Sequence, residues 1–389
     1  MRTLQRTWGV STVLSLLLLG GCGSNSAPPP SPPKIVPEFA YVTGDGPTSV
    51  STFAVDVNKG SLTSVTGSPF SSDQNILSLS LHPNGKFLYT LTRTDSAYIG
   101  YYGAFIGGYS VDSNSGALTT VAGSPFSLWG VGEANASAMA VDSSGGYLYV
   151  SHWFESHLFY GGHINVYAID KNTGAVSPGT GLEFPAGQEP VSISQDSSGK
   201  FLYVGDNFDG QLLAYSIDRG SGSLSPVAGS PFPCPSPWSV VADPKGDFVF
   251  AINHSDNTIS AYAIDTGSGA LSAVSGSPFA GDGDSPRRLT VDPTGSFLYV
   301  ANTASVSGYR IDGSGRLTAV SGSPFSVGES LAGIAVDPAG KFVYVTDSLL
   351  KQLFGFTIGS EGSLTALASS PFEFTAGSPN DIVVFQSSQ

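Results

Sequence analysis

The sequence predicts an all-β fold in which one four-stranded antiparallel sheet is repeated seven times. A segment of the type GSPF occurs seven times, and an alternating aromatic segment of the type FLYV also occurs seven times, mostly at intervals of about 45 to 50 residues. No segment keeps a helical period over the roughly ten residues that would indicate a helix. Recurring four-stranded units that cannot bury their faces alone are typical of a β-propeller, here with seven blades.

The two recurring segments mark the blades in order along the chain. We expect their aromatic side chains to pack between neighbouring blades, as core residues rather than as parts of a cofactor site. The GSPF-type segment ends at Phe70, Phe126, Phe184, Phe232, Phe279, Phe325 and Phe372. The FLYV-type segment begins at Phe39, Phe87, Tyr147, Phe201, Phe248, Phe297 and Phe342.

The same order of turns and strands recurs in successive blades. A typical repeat begins with an apolar run and a turn, which are followed by the FLYV strand and a loop. It continues with a strand such as TISAYAID, a GSG turn and a strand ending in GSPF. This order gives four strands. The first turn reads DPTG from Asp292, where aspartate starts the turn, proline presets φ and glycine takes a positive φ. We therefore assign these aspartates to turns rather than to a metal site. Related turns begin at His82, Asp142, Asp196, Asp243 and Asp337.

The two ends of the repeat region indicate how the ring closes. The turn before the FLYV strand occurs six times rather than seven, because the first repeat begins directly at its FLYV-type strand. The last apolar run, Ile382–Phe385, has no later segment to pair with. We expect this run to be the inner strand of the first blade, since such pairing leaves no open sheet edge.

The N-terminal residues have the layout of a secretory signal. Arg2 and Arg6 precede an uncharged, largely apolar stretch that is too short to span a bilayer. The sequence LGGC that ends at Cys22 resembles the lipobox of bacterial lipoproteins, which implies cleavage before this cysteine and its lipidation. We expect a signal peptide over residues 1–21, the lipidated cysteine and a proline-rich tether over residues 22–37, and the propeller over residues 38–389. Gly23, in place of aspartate, favours the outer membrane of the cell envelope.

Charge and cysteine content exclude several classes of partner and stabilising link. The formal net charge is −14, and it becomes −16 without residues 1–21, which contain two arginines and no acidic residue. An acidic protein repels phosphate backbones, so nucleic acid and anionic lipid are disfavoured as partners. Cys234 is the only other cysteine, so lipidation of Cys22 leaves no intramolecular disulfide. We expect a monomer that contacts the membrane through its lipid alone.

The repeated sequence DPxGKFLYVxN, followed by an IxxYxID strand, resembles the lactonase-type seven-bladed propeller family. That family includes 6-phosphogluconolactonase-like enzymes and YVTN-repeat surface proteins, and the resemblance extends over almost the whole chain from Phe39. It implies a propeller fold and the hydrolysis of a sugar lactone. Family enzymes carry a Pro-Arg-His segment and an Asn-Glu pair, where this chain has Pro237-Trp238-Ser239 and Asn253-His254. A partial match, Pro286-Arg287-Arg288, stands one blade later.

Unusual residues cluster in the loops predicted for one face of the propeller, near the central channel. The longest insertions run over residues 92–105 and 151–162, and loop length often accompanies function. Trp129 and Trp238 are predicted in blade-to-blade loops, and Trp153 in a loop between second and third strands. We predict a ligand-binding surface formed by Trp129, His152, Trp153, His157, Trp238 and Asn253.

Two further interpretations concern individual polar residues. His152, His157 and His163 lie close together in sequence, with Glu155 among them, but loop spacing does not define metal geometry, so we predict no metal. Arg287 and Arg288 are predicted in another of the loops on this face, and together with His254 they are candidates to polarise a lactone carbonyl or orient water. The alternative for the arginines is stacking on aromatic rings or pairing with Asp282 or Asp284. Neither a nucleophile elbow nor a phosphate-binding P-loop occurs, and we predict no cofactor.

The sequence supports three hypotheses about function. The first is an envelope-anchored propeller that binds a small molecule, a glycan or an envelope protein through its loop-rich face. The alternative is a lactone hydrolase, with an unphosphorylated aldonolactone favoured because phosphorylated sugar lactones are cytoplasmic. The third is a purely structural scaffold whose surface docks other envelope proteins. Convergence of Arg287, Arg288 and His254 on one pocket beside a carboxylate would favour the enzyme.

Overall fold

A computed structural model of the protein describes residues 36–44, 49–71, 75–94, 103–128, 134–156 and 159–387. These residues form β-strands joined by turns and loops, without an α-helix, so none of the described segments could cross a membrane as a helix. The predicted all-β class is confirmed. Cys22, Trp129 and His157 lie outside the described residues, as do the predicted signal peptide and most of the predicted tether.

The strands of the described residues form seven antiparallel sheets, the blades, and the first sheet contains both the first and the last strands of the chain. Blade 1 consists of β34 (Pro379–Gln386), β1 (Glu38–Gly44), β2 (Ser49–Val55), β3 (Leu62–Ser64) and β4 (Phe70–Ser71). Blade 2 consists of β5 (Asn75–Leu81), β6 (Phe87–Thr94), β7 (Gly103–Val111), β8 (Leu118–Thr120) and β9 (Phe126–Ser127). Blade 3 consists of β10 (Ala134–Val141), β11 (Tyr147–Ser156), β12 (Phe159–Ile169) and β13 (Val176–Pro185).

The other four blades repeat this arrangement. Blade 4 consists of β14 (Pro190–Gln195), β15 (Phe201–Asp206), β16 (Gln211–Ile217), β17 (Leu224–Pro226) and β18 (Phe232–Pro233). Blade 5 consists of β19 (Pro237–Ala242), β20 (Phe248–Asn253), β21 (Thr258–Ile264), β22 (Leu271–Ala273) and β23 (Phe279–Ala280). Blade 6 consists of β24 (Arg288–Val291), β25 (Phe297–Ala301), β26 (Ser305–Ile311), β27 (Leu317–Ala319) and β28 (Phe325–Ser326). Blade 7 consists of β29 (Leu331–Val336), β30 (Phe342–Asp347), β31 (Gln352–Ile358), β32 (Leu364–Ala366) and β33 (Phe372–Glu373).

The outer strand is divided into two short pieces in every blade except blade 3, and both pieces pair with the third strand. The serine of GSPF lies between the pieces, where its hydroxyl accepts a hydrogen bond from the third strand. In blade 5 the backbone N–H of Ala261 donates to Ser277 Oγ at 2.9 Å. The serine therefore satisfies a backbone donor that the interrupted ladder would leave unpaired. Blade 3, whose segment reads LEF, has the continuous strand β13 instead.

Pairing of β34 with β1 closes the ring, as predicted. Phe39 pairs with Phe385 and Tyr41 with Val383, and the rings of Tyr41 and Phe385 stack with centroids 5.5 Å apart. The inner strands contact one another in the cyclic order β34, β5, β10, β14, β19, β24 and β29, and so surround a central axis.

The FLYV aromatics connect neighbouring blades, as the sequence predicted. The ring of Phe39 lies against Gly116 in the GSG-type turn of blade 2, where an added Cβ would approach the ring to 2.4 Å and where φ is +72°. Two positions further along, the hydroxyl of Tyr41 donates to the carbonyl of the same glycine at 2.9 Å. Equivalent bonds join Tyr89 to Gly174, Tyr149 to Gly222, Tyr203 to Gly269, Tyr299 to Gly362 and Tyr344 to Gly60. Blade 5 carries Phe250 at this position and is the exception.

The aspartates of the DPxG turns hold backbone N–H groups, which confirms their assignment to turns. Asp292 Oδ1 accepts from the N–H of Ser296 at 2.7 Å and of Phe297 at 2.6 Å, and Gly295 has a φ of +62°. In blade 2 the turn begins with His82, whose Nε2 lies 2.9 Å from the carbonyl oxygen of Gly145 in the next blade. Burial lowers the pKa of this histidine.

Candidate functional site

The inner strands carry an irregularity that directs side chains towards the axis. In six blades the pairing between the inner and second strands shifts register near the start of the inner strand. Such β-bulges re-aim a side chain and are frequent beside functional sites. The residues at these shifts include Leu77, Ser137, Val191, Trp238 and Asn380.

These five residues line a cavity of about 320 Å³ together with Ala136 and Arg288. The lining residues come from six different blades and stand where the inner strands begin, so the cavity lies on the propeller axis. It is on the face that carries the blade-to-blade loops, where the sequence predicted a site. We name it the axial pocket.

Arg288 supplies the positive charge of the axial pocket, and it is the first residue of β24 rather than part of a loop as predicted. Its side chain is half-buried, and its charge acts on the carboxylate of Asp381 on the closing strand β34. That carboxylate also accepts hydrogen bonds from the N–H of Leu79 at 3.1 Å and of Ile382 at 3.0 Å. Burial raises the pKa of Asp381, while Arg288 and the two N–H groups act in the opposite direction.

Asp381 is the carboxylate that sequence reasoning missed. The available signal was a single aspartate directly before the apolar run of the last strand, in a position that is Ser192 in blade 4 and Ser239 in blade 5. Ser192 accepts from the N–H of Val240 in the next blade at 3.0 Å, in the same way as Asp381 accepts from Leu79. Asp381 thus makes a contact common to the repeat while adding a charge beside the pocket.

Trp238 forms part of the pocket wall from the inner strand β19, and the prediction that it lies in a loop was wrong. The indole remains 37% exposed because the bulge turns it away from the packed blade. Its ring packs against His254, with centroids 5.3 Å apart, and His254 Nδ1 lies 3.0 Å from the carbonyl oxygen of Pro286. A carbonyl can only accept, so this contact requires a proton on Nδ1 of His254, and it links the residue that packs on Trp238 to the loop before blade 6.

The three predicted catalytic candidates therefore meet only in part. Arg288 lines the axial pocket, and His254 supports its edge through Trp238. Arg287 is exposed, and it is not among the residues lining the pocket; its backbone N–H donates to the carbonyl of Ala301 at 2.9 Å. A carboxylate, Asp381, lies within reach of the charge of Arg288.

Asn253 is a structural residue, which corrects its prediction as a ligand contact. It is fully buried, and its amide donates to Thr258 Oγ1 and Ser260 Oγ, both at 2.8 Å. Asn302 makes the same pair of contacts in blade 6, with Ser305 and Ser307. Both asparagines are the sixth residue counted from the start of the FLYV segment, and at this position the side chain links the second and third strands. The amide is therefore already hydrogen-bonded inside the blade.

His152 and Trp153 also lie elsewhere than predicted. The expected loop over residues 151–162 is largely an extension of the β11 and β12 hairpin, in which His152 pairs with His163 and Trp153 with Gly162. His152 occupies the same sixth position as Asn253 and is fully buried, with Nε2 3.1 Å from Asn165 Oδ1. Burial lowers its pKa, so the ring is neutral near pH 7. Neither residue lines the axial pocket.

Two histidines and one glutamate of blade 3 lie near one another. His152 Nε2 and His163 Nδ1 each lie 3.7 Å from Glu183 Oε1. Across the described parts of the chain, no group of three or more His, Cys, Asp or Glu side chains has an arrangement that could hold a metal. Cys234 is buried, and burial raises the pKa of its thiol to about 11.

Seven closed blades around a pocket that Arg288 helps to line define the protein as a seven-bladed β-propeller with an axial cavity. The family model described as "Lactonase, 7-bladed beta-propeller" matches residues 106–242 and 239–331. The chain belongs to this lactonase family of seven-bladed propellers.

Solved structures show the same fold at low sequence identity. The periplasmic gluconolactonase PpgL of Pseudomonas aeruginosa is 18% identical, with 90% of this chain and 99% of that chain covered and a TM-score of 0.69. A candidate 6-phosphogluconolactonase of Bacteroides uniformis is 14% identical, with 90% of this chain and 100% of that chain covered and a TM-score of 0.71. Another, of Bacteroides fragilis, is 16% identical, with 90% of this chain and 98% of that chain covered and a TM-score of 0.71. No curated protein matches the chain.

Proposed function

We propose that the protein is a lactone hydrolase that works in the axial pocket. One observation carries the proposal, namely that Arg288 lines a pocket on the axis of a lactonase-family propeller. Lactone hydrolysis places negative charge on the carbonyl oxygen, and a fixed guanidinium beside that oxygen stabilises this charge. The sequence alone favoured a binding module, whereas membership of the lactonase family supports the alternative of a lactone hydrolase.

The proposed reaction needs no partner other than water. Water adds to the carbonyl carbon of the lactone, the ring C–O bond breaks, and a proton from the added water passes to the leaving alkoxide. The product is a hydroxy acid, and its carboxylate suits the planar, two-donor edge of Arg288. Asp381, whose carboxylate is held by the N–H groups of Leu79 and Ile382, places an acidic group near the guanidinium.

The acid and base of the family enzymes are not reproduced here. Ser239 and His254 stand at the expected histidine and glutamate positions, and no histidine, aspartate or glutamate is among the described residues lining the pocket. Acceleration would therefore depend mainly on the positive charge of Arg288, with solvent carrying the proton from the added water to the leaving alkoxide. Removing one oxyanion donor typically lowers kcat by about 100-fold to 1000-fold.

The test measures hydrolysis of glucono-δ-lactone and δ-valerolactone by the purified protein, relative to their spontaneous rates. We expect acceleration with the unaltered protein, loss of most of it in Arg288→Gln, and full activity in the matched control Arg287→Gln. Spontaneous rates with both lactones would overturn the proposal. If the product acid binds tightly without any turnover, the pocket is a receptor site and the binding-module hypothesis is preferred.

We also propose that the enzyme works outside the cytoplasm, anchored in the cell envelope through Cys22. This part of the proposal depends on the signal and lipobox pattern of the sequence. An envelope location favours substrates that are not phosphorylated.

A further inference from the structure

The axial pocket is divided into an apolar and a polar half. Blades 2 to 5 are consecutive around the ring, and they contribute Leu77, Ala136, Val191 and Trp238. Blades 6 and 1 contribute Arg288 and Asn380, one on each side of blade 7. A bound molecule would thus meet charge and amide groups at one side and hydrocarbon at the other.

The apolar half offers few partners for hydroxyl groups. Apart from the indole N–H of Trp238, the polar side chains among the described lining residues are those of Ser137, Arg288 and Asn380. The hydroxyl of Ser137 already donates to the carbonyl of Pro190 and lies 2.9 Å from Ser151 Oγ. A buried hydroxyl without a partner is unfavourable, and a sugar lactone presents several hydroxyls at once.

We infer that the substrate of this pocket is a lactone with an alkyl substituent rather than a polyhydroxylated sugar lactone. The inference rests on the proposed lactone hydrolysis. The ester group would lie against Arg288 and Asn380, and the alkyl chain would lie along Leu77, Val191 and Trp238. A volume of about 320 Å³ is in the range of small-molecule sites.

The experiment compares steady-state hydrolysis of glucono-δ-lactone, δ-valerolactone, δ-octalactone and δ-decanolactone by the purified protein. Burying one methylene changes an equilibrium by about fourfold, so KM should fall by up to about fourfold for each added methylene until the pocket is filled. Glucono-δ-lactone should have the lowest kcat/KM. A KM that is independent of chain length, or a preference for glucono-δ-lactone, would overturn the inference.

A valine-to-threonine exchange tests the apolar wall with little change in shape. Val191→Thr should raise KM for δ-decanolactone by roughly fourfold while leaving δ-valerolactone nearly unchanged, because only the longer chain reaches this wall. Val65→Thr, at a half-buried valine beside the outer strand of blade 1, is the matched control and should change neither. Equal melting temperatures show that both variants fold, and the chain-length series with the unaltered protein does not depend on them.

Calorimetry with acetate, octanoate and gluconate separates failure of this inference from failure of the proposed function. Octanoate that binds more tightly than acetate and gluconate, with no lactone hydrolysed, would reject hydrolysis while upholding the apolar ligand class. Hydrolysis of the lactones with a KM that is independent of chain length would uphold lactone hydrolysis and reject the apolar ligand class. If the protein neither hydrolyses a lactone nor binds octanoate, both proposals are rejected.

Discussion

The hydroxyl of Tyr344 donates a 2.8 Å hydrogen bond to the carbonyl of Gly60, across the junction between the last blade and the first. The tyrosine is fully buried, and the bond belongs to a series that repeats around the ring except at Phe250. The blades are thus connected by polar contacts as well as by packing.

Tyr344→Phe should lower the free energy of unfolding by about 1 to 3 kcal/mol, because it leaves a buried carbonyl without its donor. Urea denaturation followed by tryptophan fluorescence measures the change. Tyr147→Phe is the control, since the hydroxyl of Tyr147 makes its bond to Gly220 at the exposed edge and should matter less. Equal losses of unfolding free energy in the two variants would show that the buried hydrogen bond contributes no more to stability than the exposed one.

Phe385→Ala should destabilise the ring by about 3 to 5 kcal/mol, as expected for a large aromatic removed from a packed core. Phe385 is 6% exposed and packs on Tyr41, so its loss loosens the strand that closes the propeller. Phe208 is 63% exposed, and Phe208→Ala should change stability by no more than about 0.5 kcal/mol. Similar unfolding midpoints for both variants would contradict the role assigned to β34.

Acid should destabilise the protein partly through His152. Burial lowers the pKa of this histidine from 6.5, so the unfolded chain binds its proton more readily than the folded chain does. The contribution of neutral His152 to the free energy of unfolding is fully present above about pH 6.5. It is lost as the pH falls below that value, by at most about 1.4 kcal/mol per pH unit. His152→Asn, which copies Asn253, should reduce the difference in unfolding free energy between pH 7.5 and pH 5.5. An unchanged difference would assign the acid sensitivity to other groups, such as His82.

Cys22→Ser should release the protein from the membrane fraction of its host and abolish labelling by a radioactive fatty acid. Cys234→Ser, at the buried cysteine, should retain both properties. Labelling that persists in Cys22→Ser would show that the lipid is carried elsewhere or that the lipobox assignment is wrong.

The fold was predictable from sequence because its determinants are local and repeated. Asp292 and Gly295 form their turn from neighbouring residues, and the alternation of FLYV sets the faces of a strand wherever it occurs. Even the closing pairing of β34 with β1 could be inferred, because one turn and one inner strand were missing from the first repeat.

The site was predictable only in part. Arg288 and Trp238, which the sequence singled out as unusual residues, both line the axial pocket, but the sequence placed both in loops, and it counted Asn253 and His152 as ligand contacts. Those two are buried at a position whose hydrogen bonds join strands within one blade. Residue type alone does not distinguish an amide that binds a ligand from one that is already paired.

The sequence by itself determined the all-β class, the number of blades, their turns and the strand that closes them. Only the tertiary structure decided which side chains face the axis, because a one-residue bulge near the start of six of the seven inner strands reverses the side on which a residue lies. It also brought Asp381, Leu79 and Arg288 together from three blades. Such residues are far apart in the chain, and closure of the ring is what makes them neighbours.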